Sequence, residues 1–248
     1  MTIINADDFG MSTSANRAIV SAFREGLISD TTMLANGSAF DEAVTLANEN
    51  GFSDNVGVHF NLTEGEPLTD DIKKCAAFCE NGFFHNSINR LKPLNSAEKT
   101  AVYKELYAQA EKIRLAGFKI DHADSHHHIH TSVFIAPVVF IVCKEFDIKK
   151  LRIHRNIGNI PAYKTIIKNA YNKNLRKKGF LTTGYFGSLD DIMNISLPDY
   201  LEIMVHPDYD KNDILIDRRE FTDGVPSGIP LLNVPEKFGV KLTSYGDL

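Results

Sequence analysis

Thr2-Ile3-Ile4-Asn5-Ala6-Asp7-Asp8 is a short apolar run that ends in two carboxylates, and it predicts a buried strand. Residues 13–25 then place apolar side chains at helical spacing, and Ser12 or Thr13 can cap the start of this helix. Residues 30–35 form the next apolar run. A strand, a helix and a second strand in this order predict the beginning of a parallel α/β sheet.

The same alternation continues along the chain. Further strands are predicted over residues 55–62, 118–124, 150–153, 181–186, 200–205 and 240–242, and further helices over residues 38–47, 95–117, 162–177 and a segment ending near 145. Residues 63–93 lose the pattern and are predicted to be a long insertion with little regular structure.

This alternation predicts the fold class. With no linker in the sequence, it indicates a single α/β domain over residues 1–248, and the number of repeats favours a distorted or incomplete (β/α) barrel. A doubly wound open sheet is the alternative. Asp7-Asp8-Phe9-Gly10 stands where a dinucleotide-binding fold needs a glycine-rich turn, so a dinucleotide cofactor is not expected.

The composition excludes several classes of protein. The chain has 248 residues, of which 43% are hydrophobic and 24% are charged, and its formal net charge is −5. These are globular proportions, and the mildly acidic charge offers no surface for nucleic acid or for an anionic membrane. No apolar run reaches about 18 residues, and the first residues lack a signal-peptide pattern, so a cytoplasmic location is expected. The three cysteines predict free thiols rather than a disulfide framework.

Ionisable residues lie at the predicted carboxyl ends of several strands, which is where the active site of a (β/α) barrel lies. They are Asp7, Asp8, His59, Asp124, His126, His128, Arg152, Arg155 and His206. Each has an ordinary alternative: an aspartate can cap a helix, a strand histidine can be a core residue, and arginines commonly form surface ion pairs. Their repeated placement at one edge of the sheet favours a common site.

The run Asp121-His122-Ala123-Asp124-Ser125-His126-His127-His128-Ile129-His130 is the most specific signal. If the strand continued through it, the histidines at even positions and Asp124 would share one face. Burying such a cluster is costly without a metal ion or a proton-transfer role. A polar surface loop with incidental histidines is the alternative. Since five histidines cannot all be ligands, His122, His127 and His130 are expected to be structural, supporting or exposed.

Two histidines and one carboxylate with open positions are typical of a catalytic divalent-metal site. A second carboxylate can accept the proton of the attacking water, and a further histidine can protonate a leaving amine. These parts suit hydrolysis of an amide without a nucleophilic serine, and no G-x-S-x-G motif is present. Arg152 and Arg155 are expected to bind an anion or sugar hydroxyls. Phe83 and Phe84, in the insertion, are expected to stack on a sugar or to anchor the loop.

Four ordered motifs resemble those of the YdjC-like carbohydrate deacetylases, and the nearest branch is the chitooligosaccharide deacetylases. They are Asn5-Ala6-Asp7-Asp8-Phe9-Gly10-Met11-Ser12, Gly57-Val58-His59-Phe60-Asn61-Leu62-Thr63, Asp124-Ser125-His126-His127-His128-Ile129-His130 and His206-Pro207. The resemblance implies a distorted (β/α) barrel that removes acetyl groups from N-acetylglucosamine units in small chitin-derived oligosaccharides. It also implies a homodimer that uses Mg²⁺ or Zn²⁺, whereas ligand softness alone favours zinc or another transition metal.

The resemblance also implies roles for individual residues. Asp8, His59 and His126 match the family's metal ligands, and Asp7 matches its general base. His206 stands where a general acid is expected, with His128 as the rival for that role. His154 stands where the nearest branch has an acidic residue. This difference bears on the choice of substrate, including whether a phosphorylated sugar is preferred. It does not affect the metal site.

Two other functions stay open at this point. The first is another barrel metal hydrolase, an amidohydrolase or a phosphoesterase, because His126-x-His128 at a strand end suits these enzymes too. Such enzymes usually place an H-x-H motif on the first strand, which carries Asp7-Asp8 here. The second is a non-catalytic sugar-binding or metal-binding protein, against which the complete set of candidate residues argues.

Overall fold

The computed structural model describes all residues, 1–248. The twelve strands are β1 (Thr2–Phe9), β2 (Asp30–Met33), β3 (Val56–Phe60), β4 (Cys79–Glu80), β5 (Phe83–Phe84), β6 (His122–Ser125), β7 (Lys150–Leu151), β8 (Tyr185–Ser188), β9 (Leu201–Val205), β10 (Pro207–Tyr209), β11 (Leu215–Thr222) and β12 (Val225–Pro230). The eight α-helices are α1 (Thr13–Arg24), α2 (Phe40–Glu49), α3 (Asp70–Lys73), α4 (Ser96–Leu115), α5 (Ala136–Glu145), α6 (Ala162–Lys177), α7 (Leu189–Ile192) and α8 (Val234–Phe238). Short 3₁₀ helices cover Ser53–Asn55, His126–Thr131 and Tyr245–Asp247.

The core of the protein is a seven-stranded parallel sheet in the order β7-β6-β3-β2-β1-β9-β8. A single parallel bridge between Lys150 and Leu181 links edge strand β7 to the segment just before the other edge strand, β8. The strands therefore follow one another in chain order around a curled, incompletely closed ring. This confirms the predicted single-domain, distorted (β/α) barrel, and the absence of a reversal in strand order excludes the doubly wound alternative.

Local sequence signals explain the first and longest helices. The Ser12 hydroxyl accepts a hydrogen bond from the Ala15 backbone at the start of α1, whose apolar stripe is buried. At the start of α4, Asn95 and Glu98 form the reciprocal capping box that their spacing predicts. Strands β1, β2 and β3 are buried along their whole length, as parallel strands covered on both faces are.

Several elements differ from the sequence-based prediction. The strand expected at 181–186 is shifted to Tyr185–Ser188, and the one expected at 240–242 is a single bridge between Leu242 and Thr2. Residues 63–93 are mostly irregular, as expected, apart from α3 and the two-stranded β4–β5 sheet. The three-stranded antiparallel sheet β10–β11–β12 was not predicted.

No helix in the structure combines the length and the apolar character that a membrane crossing requires.

Candidate metal centre and active site

Six of the nine predicted site residues line a cavity of about 630 Å³ at the carboxyl ends of the parallel strands. Its lining includes Asp7, Asp8, His59, His126, His128 and His206 from the predicted set, together with Glu64, Asn86, Arg90, Arg218, Arg219 and Phe221 from segments outside the barrel strands. The carboxyl ends of the strands are where the active site of a (β/α) barrel lies, so this cavity is the candidate active site.

A bulge in β1 lets both adjacent aspartates reach this cavity. In a regular strand, Asp7 and Asp8 would point to opposite faces. The register between β1 and β2 shifts between Ala6 and Phe9, and Asp8 adopts a left-handed φ of 70°. Such bulges redirect side chains next to active sites, and aspartate tolerates the left-handed region better than most residues.

Asp8, His59 and His126 form a compact group of potential metal ligands, whose donor atoms lie within 4.8 Å of one another. Asp8 Oδ1 lies 2.8 Å from His126 Nδ1 and 3.3 Å from His59 Nε2. All three side chains are almost fully buried. This is the ligand set that the family resemblance implied.

Asp124 orients His59 within this group. Its Oδ1 lies 2.6 Å from His59 Nδ1, while the Thr32 hydroxyl lies 3.0 Å from the same nitrogen and donates to Asp124 Oδ2. Nε2 of His59 is therefore directed at Asp8. A carboxylate that holds one ring nitrogen while the other faces the ligand group is the usual support of a metal-binding histidine.

The electrostatics of the group also favour a cation. Burial lowers the pKa of His59, but the Asp124 carboxylate outweighs burial and raises that pKa to about 10. Burial opposes protonation of His126 as well, yet Asp8 raises its pKa to about 9. Burial disfavours the protonated form of both histidines, but the negative charge of the surrounding carboxylates stabilises it. A divalent ion would supply the same positive charge, so the residues fit a metal.

A buried arginine, Arg152, binds both carboxylate oxygens of Asp7. Arg152 donates from Nη1 to Asp7 Oδ2 and from Nη2 to Asp7 Oδ1, both at 2.7 Å, and Asn5 Nδ2 donates to Asp7 Oδ1 at 2.8 Å. Arg152 also contacts Asp124 at 2.5 Å and Glu202 at 2.6 Å. Burial opposes ionisation of Asp7, but Arg152 outweighs burial and holds the pKa of Asp7 well below its usual range.

The two predicted substrate-binding arginines do not reach this cavity. Arg152 is fully buried, and its donors are engaged by Asp7, Asp124 and Glu202, which gives it a position different from the one expected. Arg155 is 42% exposed and pairs with Asp191. It lines an adjacent cavity of about 430 Å³, which shares His128 with the first.

The histidine run does not continue as a strand. It turns after Ser125, where His127 and His128 adopt left-handed φ values of 50° and 54°. His126, His127 and His128 therefore all line the cavity, while His122 and His130 are buried away from it. The extended backbone that would place the even-numbered histidines on one face therefore ends at Ser125, and these histidines do not share a face.

His206 and His128 flank the cavity differently. The His206 side chain is 25% exposed, and its backbone N–H donates to the buried Asp217 at 2.8 Å. His128 Nδ1 is buried without a hydrogen-bond partner. Burial and the Arg152 cation lower the pKa of His128 to about 3, which leaves this imidazole neutral at physiological pH.

A family model described as "YdjC-like protein" matches residues 1–227. The chain belongs to the YdjC-like family.

Relatives of this YdjC-like protein carry one consistent name. "Carbohydrate deacetylase 1" of Listeria innocua is 35% identical over 84% of this chain and 81% of its own length. "Carbohydrate deacetylase" of Clostridium beijerinckii is 34% identical over 86% of this chain and 83% of its own length. A solved structure from Enterococcus faecalis V583, described as a cellobiose-phosphate cleavage protein, has the same fold, with a TM-score of 0.74 and 24% identity. That likeness covers 99% of this chain and 97% of the other.

Besides Thr32, sequence reasoning missed two charged residues that contact the ligand group in this YdjC-like protein. Arg218 Nη2 donates to Asp8 Oδ2 at 2.7 Å, and Glu64 Oε2 lies 3.0 Å from His126 Nε2. Glu64 lies in the insertion and Arg218 on β11, so neither follows a barrel strand. No local motif marks Arg218. Glu64 directly follows Thr63, the last residue of the His59 motif, and that proximity was the one available signal.

Proposed function

We propose that this chain is a metal-dependent carbohydrate deacetylase that hydrolyses the acetamide of N-acetylglucosamine units in small chitin-derived oligosaccharides and releases acetate. The observation that carries this proposal is the convergence of Asp8, His59 and His126 beside a second carboxylate, Asp7, in one cavity. The names of the relatives from Listeria innocua and Clostridium beijerinckii support a carbohydrate substrate and a deacetylation reaction.

Asp8, His59 and His126 would hold the cation. When bound, a divalent ion at these ligands polarises the acetamide carbonyl and lowers the pKa of a bound water. The supporting contacts from Asp124 to His59 and from Arg218 to Asp8 keep both ligands in place. Glu64 lies at the open side of His126, where it can contact either the ion or the substrate.

Asp7 accepts the proton of the attacking water. Arg152 lowers the pKa of this carboxylate and binds both of its oxygens, so Arg152 is a positioning residue in this mechanism. The same contact makes Asp7 a weak base. A divalent ion at the neighbouring ligands would acidify the water and so favour this proton transfer.

His206 protonates the departing amine. It lines the cavity, is partly exposed and contacts Asp217 through its backbone, so a substrate can reach its ring. His128, the rival for this role, has a pKa lowered to about 3, so it is a neutral imidazole and not an imidazolium acid near neutral pH. The position of His206 in the cavity and its partial exposure thus favour it as the general acid.

Arg155 is the remaining candidate for substrate binding. Its position in the adjacent cavity, together with His154 and Lys168, suits a sugar unit beyond the one that is deacetylated. The choice of Mg²⁺ or Zn²⁺, the chitin origin of the substrate, the homodimer and the cytoplasmic location stay predictions.

The proposal is tested by measuring acetate released from N,N′-diacetylchitobiose by metal-stripped protein, with Zn²⁺, Mg²⁺ or neither added back. We expect release only with an added ion. A matched reaction with a phosphoester substrate checks the alternative hydrolase. Phosphate release without acetate release would overturn the proposal, and so would metal binding with no turnover of any N-acetylated sugar.

A further inference from the structure

Strand β11 forms a wall of the candidate active-site cavity, and the mechanism above uses only Arg218 of this wall. Arg218, Arg219, Glu220 and Phe221 from this strand line the cavity. Only three of the residues that line the whole cavity are hydrophobic, and Phe221 is the only one of these three with an aromatic ring. Phe221 is nevertheless 57% exposed. Because the Phe221 ring lines the cavity and is exposed, a ligand bound in the cavity can contact its face.

The ring of Phe221 is held in a defined position. The Arg218 guanidinium carbon lies 5.0 Å from the ring centroid. Arg218 is itself only 9% exposed, because it donates to Asp8 at 2.7 Å and to Asp208 at 3.1 Å. The backbone of Phe221 also pairs with Pro226 across the β11–β12 hairpin. One arginine therefore connects the aromatic ring to a candidate metal ligand.

We propose that Phe221 is a stacking platform for a pyranose ring of the substrate, and this inference rests on the proposed function. A pyranose with equatorial hydroxyls presents a face of axial C–H bonds, which packs against an aromatic ring as an apolar surface. Its hydroxyl edge then meets the polar groups of the same cavity, including Asn86, Arg90 and Arg219. The site thus selects a gluco-configured sugar over a non-sugar acetamide.

The aromatic pair singled out in the sequence is less suited to this role. Phe84 is buried, with 7% exposure, and anchors the insertion to the core. Phe83 is 55% exposed, which matches Phe221, but it does not line the cavity. Phe83 therefore offers a matched control, since it is equally open to solvent and lies on a similarly exposed hairpin.

The absence of tryptophan from the chain permits a direct test. Phe221→Trp and Phe83→Trp are each made in a Zn²⁺-loaded Asp7→Asn background, so that binding is observed without turnover. Fluorescence is then titrated with N,N′-diacetylchitobiose. We expect a saturable change for Phe221→Trp and none for Phe83→Trp. A change for Phe83→Trp alone, or for neither variant although calorimetry detects binding, would overturn the platform.

Kinetics in the otherwise unchanged enzyme give the second readout. We expect Phe221→Ala to raise KM for the disaccharide about tenfold, as loss of a stacking contact does, while Phe221→Tyr restores it and Phe83→Ala has no effect. An unchanged KM for Phe221→Ala in an enzyme that releases acetate would overturn the platform alone. Absence of both sugar binding and acetate release in the parent protein would overturn the proposed function and the platform together.

Discussion

Asp7 and Asp8 are neighbours in sequence, yet they face different partners. Asp7 is bound through both oxygens by Arg152, whereas Asp8 lies between two histidines and Arg218. The left-handed backbone at Asp8 brings the two carboxylates into one cavity without making them equivalent. Their roles are therefore separable by substitutions that change charge and keep shape.

Asp7→Asn should retain the bound ion and lose most of its turnover. An amide cannot accept the proton of the water, and general base catalysis contributes roughly 10²- to 10⁴-fold. The measurement is kcat together with metal content by elemental analysis. Asp8→Asn is the control, and it should lose the ion as well as the activity. Full activity in Asp7→Asn would mean that another group is the base.

Binding of a divalent ion should release two protons at pH 7.5, one each from His59 and His126. Their pKa values of about 10 and about 9 mean that both rings are protonated in the metal-free protein at this pH. Metal ligation requires a free ring nitrogen, so the affinity should rise with pH up to this range. Calorimetry in buffers of different ionisation enthalpy counts the protons. A count of zero would mean that the rings are neutral before binding.

The same two pKa values make the stability of the metal-free protein depend on pH. Both are raised above the ordinary histidine value of 6.5. The two histidines therefore make their full contribution to the free energy of unfolding below pH 6.5, and this contribution is lost as pH rises through about 9 and 10. Urea unfolding of stripped and Zn²⁺-loaded protein between pH 6 and 10 should show this loss in the stripped protein only. Parallel curves would contradict the assignment.

Helix α4 holds the insertion onto the barrel. The fully buried Glu105 accepts hydrogen bonds from the backbone N–H groups of Leu68 and Thr69 and from Gln109. Gln109 in turn donates to the backbone carbonyl of Asn61. Glu105 and Gln109 therefore fix the backbone on both sides of Glu64, which lines the cavity.

Glu105→Ala should lower the free energy of unfolding by about 2–4 kcal/mol, because it leaves two backbone donors without an acceptor. Glu111→Ala is the control on the same helix, since Glu111 is 41% exposed and makes only a long ion pair with Arg114. Urea denaturation midpoints compare the two variants. Equal midpoints would mean that Leu68 and Thr69 find acceptors elsewhere.

The elements that could be predicted are those whose signal is local. The stripe and cap of α1 and the capping box of α4 each lie within one segment, so their boundaries were found nearly to the residue. The turn at His127 and His128 was missed because two left-handed residues without glycine leave no compositional mark. The β11–β12 hairpin did carry one. Asp223-Gly224, both with positive φ, is a strong two-residue turn signal.

The candidate site was predicted as far as it rests on barrel strands. Parallel strands bring their carboxyl ends to one edge, so residues that end strands could be grouped without knowing any distance. Glu64, Arg218 and Phe221 come from an insertion and a hairpin, and the packing of these segments against the barrel is a tertiary outcome. The burial of Arg152 was missed for the same reason, since its three acidic partners come from three other strands.

Across the whole molecule, the cavity and the last residues lie at opposite ends of the barrel. Leu242 bridges to Thr2 at the amino end of β1, and the backbone N–H of the fully buried Tyr245 donates to Asp30 at the start of β2. The Tyr245 ring stacks on His122 with a centroid distance of 3.9 Å. The last residues of the chain therefore cover the base of the sheet.

Tyr245→Ala should cost roughly 3–5 kcal/mol of stability, as removal of a fully buried aromatic side chain does. Tyr163→Ala is the control, because Tyr163 is 64% exposed and should lie within about 0.5 kcal/mol of the parent. Thermal unfolding of metal-loaded protein makes the comparison. A small effect of Tyr245→Ala would mean that the last residues are dispensable for the base of the barrel.

The ring order of the strands has a consequence for synthesis on the ribosome. β1 pairs with β2, which is made next, and with β9, which is made nearly last. The Arg218 side chain that donates to Asp8 is likewise synthesised 210 residues after it. Until then, a nascent chain carries β1 with one edge open, and an open edge invites pairing with other chains. Completion of the cavity is therefore a late event, and a chain released before β9 is made should aggregate.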